Sequence, residues 1–100
     1  MDDIIKHIPS DYHKDIKRAV EILKESGCQE IYMFGSLVGG RVREESDIDL
    51  AVRGCSPDEY YQLIGKLMME LEHPVDLVNL DRNDEFTKFL ESRGDMVGVH

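Results

Sequence analysis

The stretch FGSLVGGRVREESDIDLAV, residues 34 to 52, places Gly-Ser and two further glycines before a short basic segment and Asp-Ile-Asp after it. A simple turn needs no carboxylates, and a strand gains nothing from two unpaired carboxylates that point to one face. We therefore expect the two halves of this stretch to bind opposite ends of one ligand. The Gly-Ser end would hold phosphates, and the Asp end would hold the metal that accompanies them.

The composition is that of a small acidic globular protein. With 100 residues, 41% of them hydrophobic, the chain should form one domain over residues 1–100. No apolar run has the length of a membrane helix, and the N-terminus lacks the layout of a signal peptide, so we expect a cytoplasmic protein without membrane contact. The formal net charge of -9 argues against stable nucleic-acid binding by this chain alone. It suits a divalent cation, a metal-chelated nucleotide or a basic protein partner.

The two cysteines, Cys28 and Cys55, stand far apart in the chain and form no Cys-x-x-Cys motif. No histidine lies near either of them. We therefore interpret them as reduced core thiols rather than as a disulfide or a metal site.

The hydrophobic pattern alternates between helix and strand periods, which predicts an α/β (α+β) protein. Ser56 is placed to cap the second long helix, with Pro57 at its first position. Of the last helix we expect Phe86, Phe89 and Leu90 to face inward, and of the second helix we expect Met68 in the apolar stripe. The predicted helices cover residues 11–26, 56–72 and 84–92, with a weak one at 36–43, and the predicted strands cover 31–34, 47–53 and 75–80, with a tail that forms an edge strand or frays.

Carboxylates on two predicted strands suggest a metal site. Residues i and i+2 of a strand share a face, so Asp47 and Asp49 should project together and repel unless a cation lies between them. Asp76 would join them if its strand lies beside theirs, and three carboxylates could hold two Mg²⁺ ions for phosphoryl transfer. Asp-x-Asp also arises by chance in so acidic a chain, and two solvated acids at a strand end remain the alternative.

The glycine-rich end would bind phosphate through backbone amides. A strand that ends at Gly35 and turns into a helix presents free N–H groups, and Ser36 adds a hydroxyl. Neither a Walker A loop nor GxGxxG is present. Arg41 and Arg43 could contact a triphosphate, although exposed loop arginines and a plain Gly-Ser turn are the commoner cases.

The whole combination resembles the nucleotidyltransferase superfamily of DNA polymerase beta. Gly35-Ser36, ten residues, Asp47-Ile48-Asp49, and then Asp76 in a third strand match the minimal nucleotidyltransferase (MNT) branch. The segments SDIDL from Ser46 and VDLV from Val75 are also typical of that branch. The resemblance implies a small mixed sheet of three to four strands flanked by helices on one side.

The resemblance also implies a reaction and the roles of the residues. The family uses two Mg²⁺ ions and a nucleoside triphosphate, and transfers the nucleoside monophosphate to an acceptor with release of pyrophosphate. Asp47 and Asp49 would bind both ions, and Asp76 would help to hold the catalytic ion and activate the acceptor hydroxyl. Gly35 and Ser36 would hold the β,γ-phosphates, with further nucleotide contacts from Gly40, Arg41, Arg43 and Ser46.

Three interpretations of the function remain open, because the sequence departs from the family pattern at two positions and because the chain is short. Leu37 and Gly39 stand where many members carry arginine. The first reading is an ATP-dependent enzyme that adds AMP to a co-encoded, all-helical HEPN toxin and so acts as its antitoxin. The second is a binding module with weak or no catalysis. The third is the nucleotide-binding subunit of an antibiotic nucleotidyltransferase. A homodimer also stays open.

Overall fold

Residues 8–35, 47–94 and 96–99 are described in a computed structural model of the protein. The described part of the chain contains three helices, four strands and a short 3₁₀ turn after the third strand. They are α1 (Ser10–Glu25), β1 (Glu30–Phe34), β2 (Ile48–Arg53), α2 (Pro57–Glu70), β3 (Val75–Asn79), the turn Leu80–Arg82, α3 (Glu85–Arg93) and β4 (Val97–Gly98). The predicted long helices and the three strands are confirmed to within two residues at each end.

The four strands form one mixed sheet in the order β3-β2-β1-β4. β1 pairs antiparallel with β2 and with β4, and β2 pairs parallel with β3. A parallel pair requires a crossover, and α2 provides it. β4 confirms the edge strand expected in the tail. The predicted α+β nucleotidyltransferase fold is therefore confirmed.

The main core lies between one face of the sheet and helices α1 and α2. Alternate residues of β1 and β2, among them Met33 and Leu50, point into it. On the other face a smaller core joins Phe34, Ala51 and Leu90, so α3 packs against the face opposite to the two long helices. The expectation that all helices flank one side of the sheet is therefore wrong for α3. This second face carries the aspartates of β2 and β3.

Three side chains lie elsewhere than the sequence indicated. Phe86 and Phe89 are 51% and 52% exposed, whereas Leu90 is buried as expected and Thr87 is buried beside it. Met68 is 73% exposed, and Leu63 and Leu67 are the buried residues of α2. An amphipathic period gives the angular spacing of apolar residues, but the sheet decides which of them it covers.

Among the three described helices, α3 has a side-chain cap at its start, whereas α1 and α2 have none. Ser56 occupies the predicted cap position and Pro57 begins α2, but the Ser56 hydroxyl makes no capping hydrogen bond. Asp84 caps α3 by accepting from the Thr87 N–H at 2.9 Å, and Gly94 ends the helix in the left-handed conformation.

Cys28 and Cys55 form a disulfide, so the prediction of reduced thiols is wrong for this structure. The cause lies in the register of β1 and β2. Glu30 pairs with Arg53, and the Gln29 N–H donates to the Arg53 carbonyl, so the antiparallel pairing continues beyond the strands. It places the two cysteines opposite each other with their Cα atoms 4.2 Å apart, although 27 positions separate them in sequence.

Candidate active site

The carboxylates of Asp49 and Asp76 lie on neighbouring strands at the same level of the sheet. In the parallel register of β2 and β3, Asp49 is paired with Asp76. Side chains at paired positions share a face, and adjacent strands lie about 4.8 Å apart. The two strands are therefore neighbours, which was the condition for Asp76 to approach Asp49. Asp47 lies just before β2 and is exposed.

The antiparallel neighbour of Asp49 is Phe34, a residue that the sequence did not single out. Phe34 is paired with Asp49 and is buried, so an apolar ring flanks the carboxylate on one side and Asp76 flanks it on the other. Its place directly before Gly35 could have drawn attention to it. The pairing itself could not be known before the register of β1 and β2.

Gly35 leaves room for the Asp49 carboxylate. The glycine has φ of +80°, and a Cβ atom built on it would lie 2.1 Å from Oδ2 of Asp49. No side chain fits there while the carboxylate keeps its position. The turn after β1 therefore requires glycine for two reasons, its backbone conformation and the close approach of Asp49.

These surroundings act against the negative charge of Asp49. Burial, followed by repulsion from Asp76 and from Asp47, raises the pKa of Asp49 to about 6 from 3.8. A carboxylate in such a place is stabilised by a cation, and carboxylate oxygens are the donors that Mg²⁺ prefers. In the described part of the chain, no three His, Cys, Asp or Glu side chains are arranged as ligands of one metal ion. Asp47, Asp49 and Asp76 therefore do not form the three-carboxylate cluster expected from the sequence, although the oxygens of Asp49 and Asp76 are donors of the kind that Mg²⁺ prefers.

Asp15 of α1 anchors the segment that leads into β3, the strand of Asp76. One carboxylate oxygen of Asp15 accepts from the N–H groups of Glu72 and His73 at 3.0 and 2.7 Å, and Nδ1 of His73 lies 2.7 Å from it. The Ile48 N–H then donates to the carbonyl of Pro74 at 2.9 Å, which sets the β2–β3 register. Sequence reasoning missed Asp15, because nothing in a helical pattern marks its partner.

The other predicted nucleotide contacts fall outside the described residues. The group comprises Ser36, Gly40, Arg41, Arg43 and Ser46, together with Leu37, Gly39 and the weak helix predicted over 36–43. Gly35, Asp47, Asp49 and Asp76 are therefore the predicted site residues that the structure locates. It brings Gly35, Asp49 and Asp76 to one end of the sheet.

Comparison with known protein families decides the classification. The family model described as "Polymerase beta, Nucleotidyltransferase" matches residues 17–97, which cover the sheet and its aspartates. The chain belongs to this nucleotidyltransferase family. No curated protein sequence matches it significantly.

Several solved structures of toxin–antitoxin pairs are similar to this nucleotidyltransferase. A toxin–antitoxin complex with AMP-PNP is 27% identical with a TM-score of 0.67, and the match covers 84% of this chain and 71% of that one. A mutant of the MntA-HpeT toxin-antitoxin is 25% identical with a TM-score of 0.65 and the same coverage. At 24% identity and a TM-score of 0.60, the MNT antitoxin bound to a tri-AMPylated HEPN toxin of Shewanella oneidensis shares the fold, with coverage of 87% and 70%. The MNT-type antitoxin resemblance is thereby confirmed.

Within the described residues no helix is both long and apolar enough to span a bilayer.

Proposed function

We propose that the protein is a Mg²⁺-dependent nucleotidyltransferase that transfers AMP from ATP to a hydroxyl group of a HEPN-family partner. The observation that carries the proposal is the in-register pair Asp49 and Asp76, with the pKa of Asp49 raised to about 6 by burial and by its acidic neighbours. A site that holds two carboxylates together at a cost in repulsion is suited to a metal-chelated triphosphate.

Each residue of the site has a part in the proposed transfer. Asp47 and Asp49 would hold the metal ions, and Gly35 would let the phosphates approach the backbone. Bound Mg²⁺ would neutralise charge on the phosphates during transfer. The acceptor oxygen forms a bond to the α-phosphorus, the bond from that phosphorus to the bridging oxygen breaks, and pyrophosphate leaves. Asp76, the more exposed carboxylate, takes the proton of the hydroxyl.

The similar solved structures support the choice of nucleotide and of partner. The complex at 27% identity was solved with AMP-PNP, an analogue of ATP, and it pairs a toxin with an antitoxin. The net charge of -9 suits a basic partner. We place the reaction in the cytoplasm, where ATP is available.

The decisive experiment incubates the purified chain with ATP, Mg²⁺ and its co-encoded HEPN protein, and measures the mass of the HEPN protein. We expect AMP addition that needs Mg²⁺ and that falls at least about 100-fold in Asp49→Asn and in Asp76→Asn. Asp58→Asn is the matched control, because Asp58 is an exposed aspartate in the first turn of α2, and it should transfer AMP at the wild-type rate.

The outcomes separate the three readings of the sequence. If the wild type adds no AMP and Asp49→Asn still inhibits the HEPN protein as strongly as the wild type, the protein is a contact-binding module and not an enzyme. AMP addition to aminoglycosides in place of the HEPN protein would establish the small-molecule reading. Wild-type turnover in Asp49→Asn would exclude the assigned metal site.

A further inference from the structure

One flank of α2 is already occupied by α1. Residues at spacings of three and four along this flank, Glu59, Gln62, Lys66 and Glu70, face the first helix. The Arg18 guanidinium lies 2.7 Å from Glu70, and the first three of these residues line a shallow pocket with the end of α1. This flank is polar, and it is joined to α1 by the Arg18–Glu70 ion pair.

The opposite flank of α2 is apolar and open to solvent. Tyr61, Ile64 and Met68 follow one another at spacings of three and four, so they form a continuous strip, hereafter the outer strip. Tyr61 is 80% exposed and Met68 is 73% exposed. Singly exposed apolar residues are common, but an aligned strip indicates a contact surface.

The outer strip adjoins an open edge of the sheet. α2 lies over β3, because the Tyr60 hydroxyl donates to the Leu77 carbonyl at 2.9 Å. β3 is the last strand on that side of the described sheet. The flank of α2 that points away from α1 therefore points past this edge. Exposed edge strands invite pairing with other chains, and proteins often protect them by covering them with a helix.

The charge of the chain indicates what covers the surface. A second copy would bring together two chains that each carry a net charge of -9. A partner with lysine and arginine around an apolar helix face would bury the strip and relieve that charge. We propose that the outer strip and the β3 edge dock an amphipathic, cationic helix of the HEPN partner. This inference rests on the proposed function and adds the surface through which the partner is held.

Titration calorimetry of the purified chain with the co-encoded HEPN protein tests the docking surface. Tyr61→Ser and Met68→Ser should each weaken binding about tenfold or more, as buried anchors of an interface do. Met69→Ser is the matched control, since Met69 is 88% exposed and follows Met68 directly but points about 100° away around the helix. It should bind within about twofold of wild type, and binding should weaken as salt rises.

A fourth variant and an assay of AMP addition distinguish a failure of the docking surface from a failure of the proposed function. Phe89→Ser tests the exposed phenylalanines of α3, and it should bind like the wild type. Two results would overturn this docking surface: wild-type affinity in Tyr61→Ser and Met68→Ser, or a larger loss of affinity in Met69→Ser or Phe89→Ser. If the wild type still adds AMP to the HEPN protein in that case, the proposed function stands. A chain that forms a dimer alone and becomes monomeric with Met68→Ser would assign the strip to a second copy. A wild type that neither binds nor modifies the HEPN protein would overturn both proposals.

Discussion

At Asp49 the strand register sets one carboxylate between the ring of Phe34 and the carboxylate of Asp76. The charged form of Asp49 is disfavoured by burial and by repulsion from Asp76 and Asp47. A carboxylate whose pKa is raised in the folded protein contributes stability below its ordinary pKa and loses it as the pH rises through the folded value. For Asp49 that window runs from 3.8 to about 6.

Asp49→Asn should therefore stabilise the metal-free protein, and increasingly so with pH. The two proteins should differ little near pH 4, where Asp49 is largely neutral, and the variant should be the more stable above pH 6. Urea unfolding in the presence of a chelator at several pH values measures the difference. An equal difference in the free energy of unfolding at every pH would contradict the electrostatic account of this residue.

Gly35→Ala tests the close approach of the Asp49 carboxylate. The added methyl group meets that carboxylate at 2.1 Å on a backbone with positive φ, so we expect a loss of about 1–3 kcal/mol in stability. AMP transfer should fall as well, because the carboxylate has to move. Thermal and urea unfolding give the first effect, and the mass assay gives the second.

Gly65→Ala is the matched control for that substitution. Gly65 lies in α2, and no neighbouring heavy atom comes within 4 Å of the position that a Cβ atom would take there, so alanine should stabilise the helix by about 0.5–1 kcal/mol. If Gly35→Ala were as stable as wild type, the Asp49 carboxylate would have to occupy a different position.

Among the elements, α1 and the segment before β3 are joined by the buried carboxylate of Asp15. Burial alone would raise its pKa, but the hydrogen bonds from the His73 side chain and from the N–H groups of His73 and Glu72 outweigh it, and the pKa is lowered. A lowered carboxylate pKa contributes stability above the ordinary value of 3.8, and this stability is lost as the pH falls through the lowered value.

Asp15→Ala should cost about 1–3 kcal/mol at pH 7, because two part-buried N–H groups lose a charged acceptor. The cost should shrink in acid, where the wild-type carboxylate becomes protonated. Urea unfolding at pH 7 and pH 3 measures both values. Amide hydrogen exchange at Asp76 and its neighbours should also rise, since the segment before β3 loses its anchor, and unchanged exchange there would contradict this role.

At the scale of the whole molecule, the Cys28–Cys55 disulfide joins the start of β1 to the end of β2. It closes a loop that contains the glycine-rich segment together with Asp47 and Asp49. The strand pairing places the two cysteines opposite each other, so the fold brings the thiols together before any bond forms.

Reduction should therefore lower stability without changing the fold. For a loop with a sequence separation of 27, the entropic contribution of the bond is about 3–4 kcal/mol. Urea unfolding with and without dithiothreitol measures this contribution. The double variant Cys28→Ser/Cys55→Ser should be as stable as the reduced protein, and its stability should not change with dithiothreitol. An oxidised wild type whose unfolding midpoint does not move with dithiothreitol would contradict this assignment.

The sequence determined the order of helices and strands, because apolar periodicity and capping residues act over a few neighbouring positions. It also determined the chemistry of the site, because Gly-Ser and Asp-x-Asp carry their functional groups at fixed spacing. The tertiary structure decided which groups meet. Phe34 beside Asp49, Asp15 against His73, and Cys28 against Cys55 all follow from strand register and helix packing, which join residues far apart in the chain. The exposure of Phe86 and Phe89 was decided by which side of α3 the sheet covers, for the same reason.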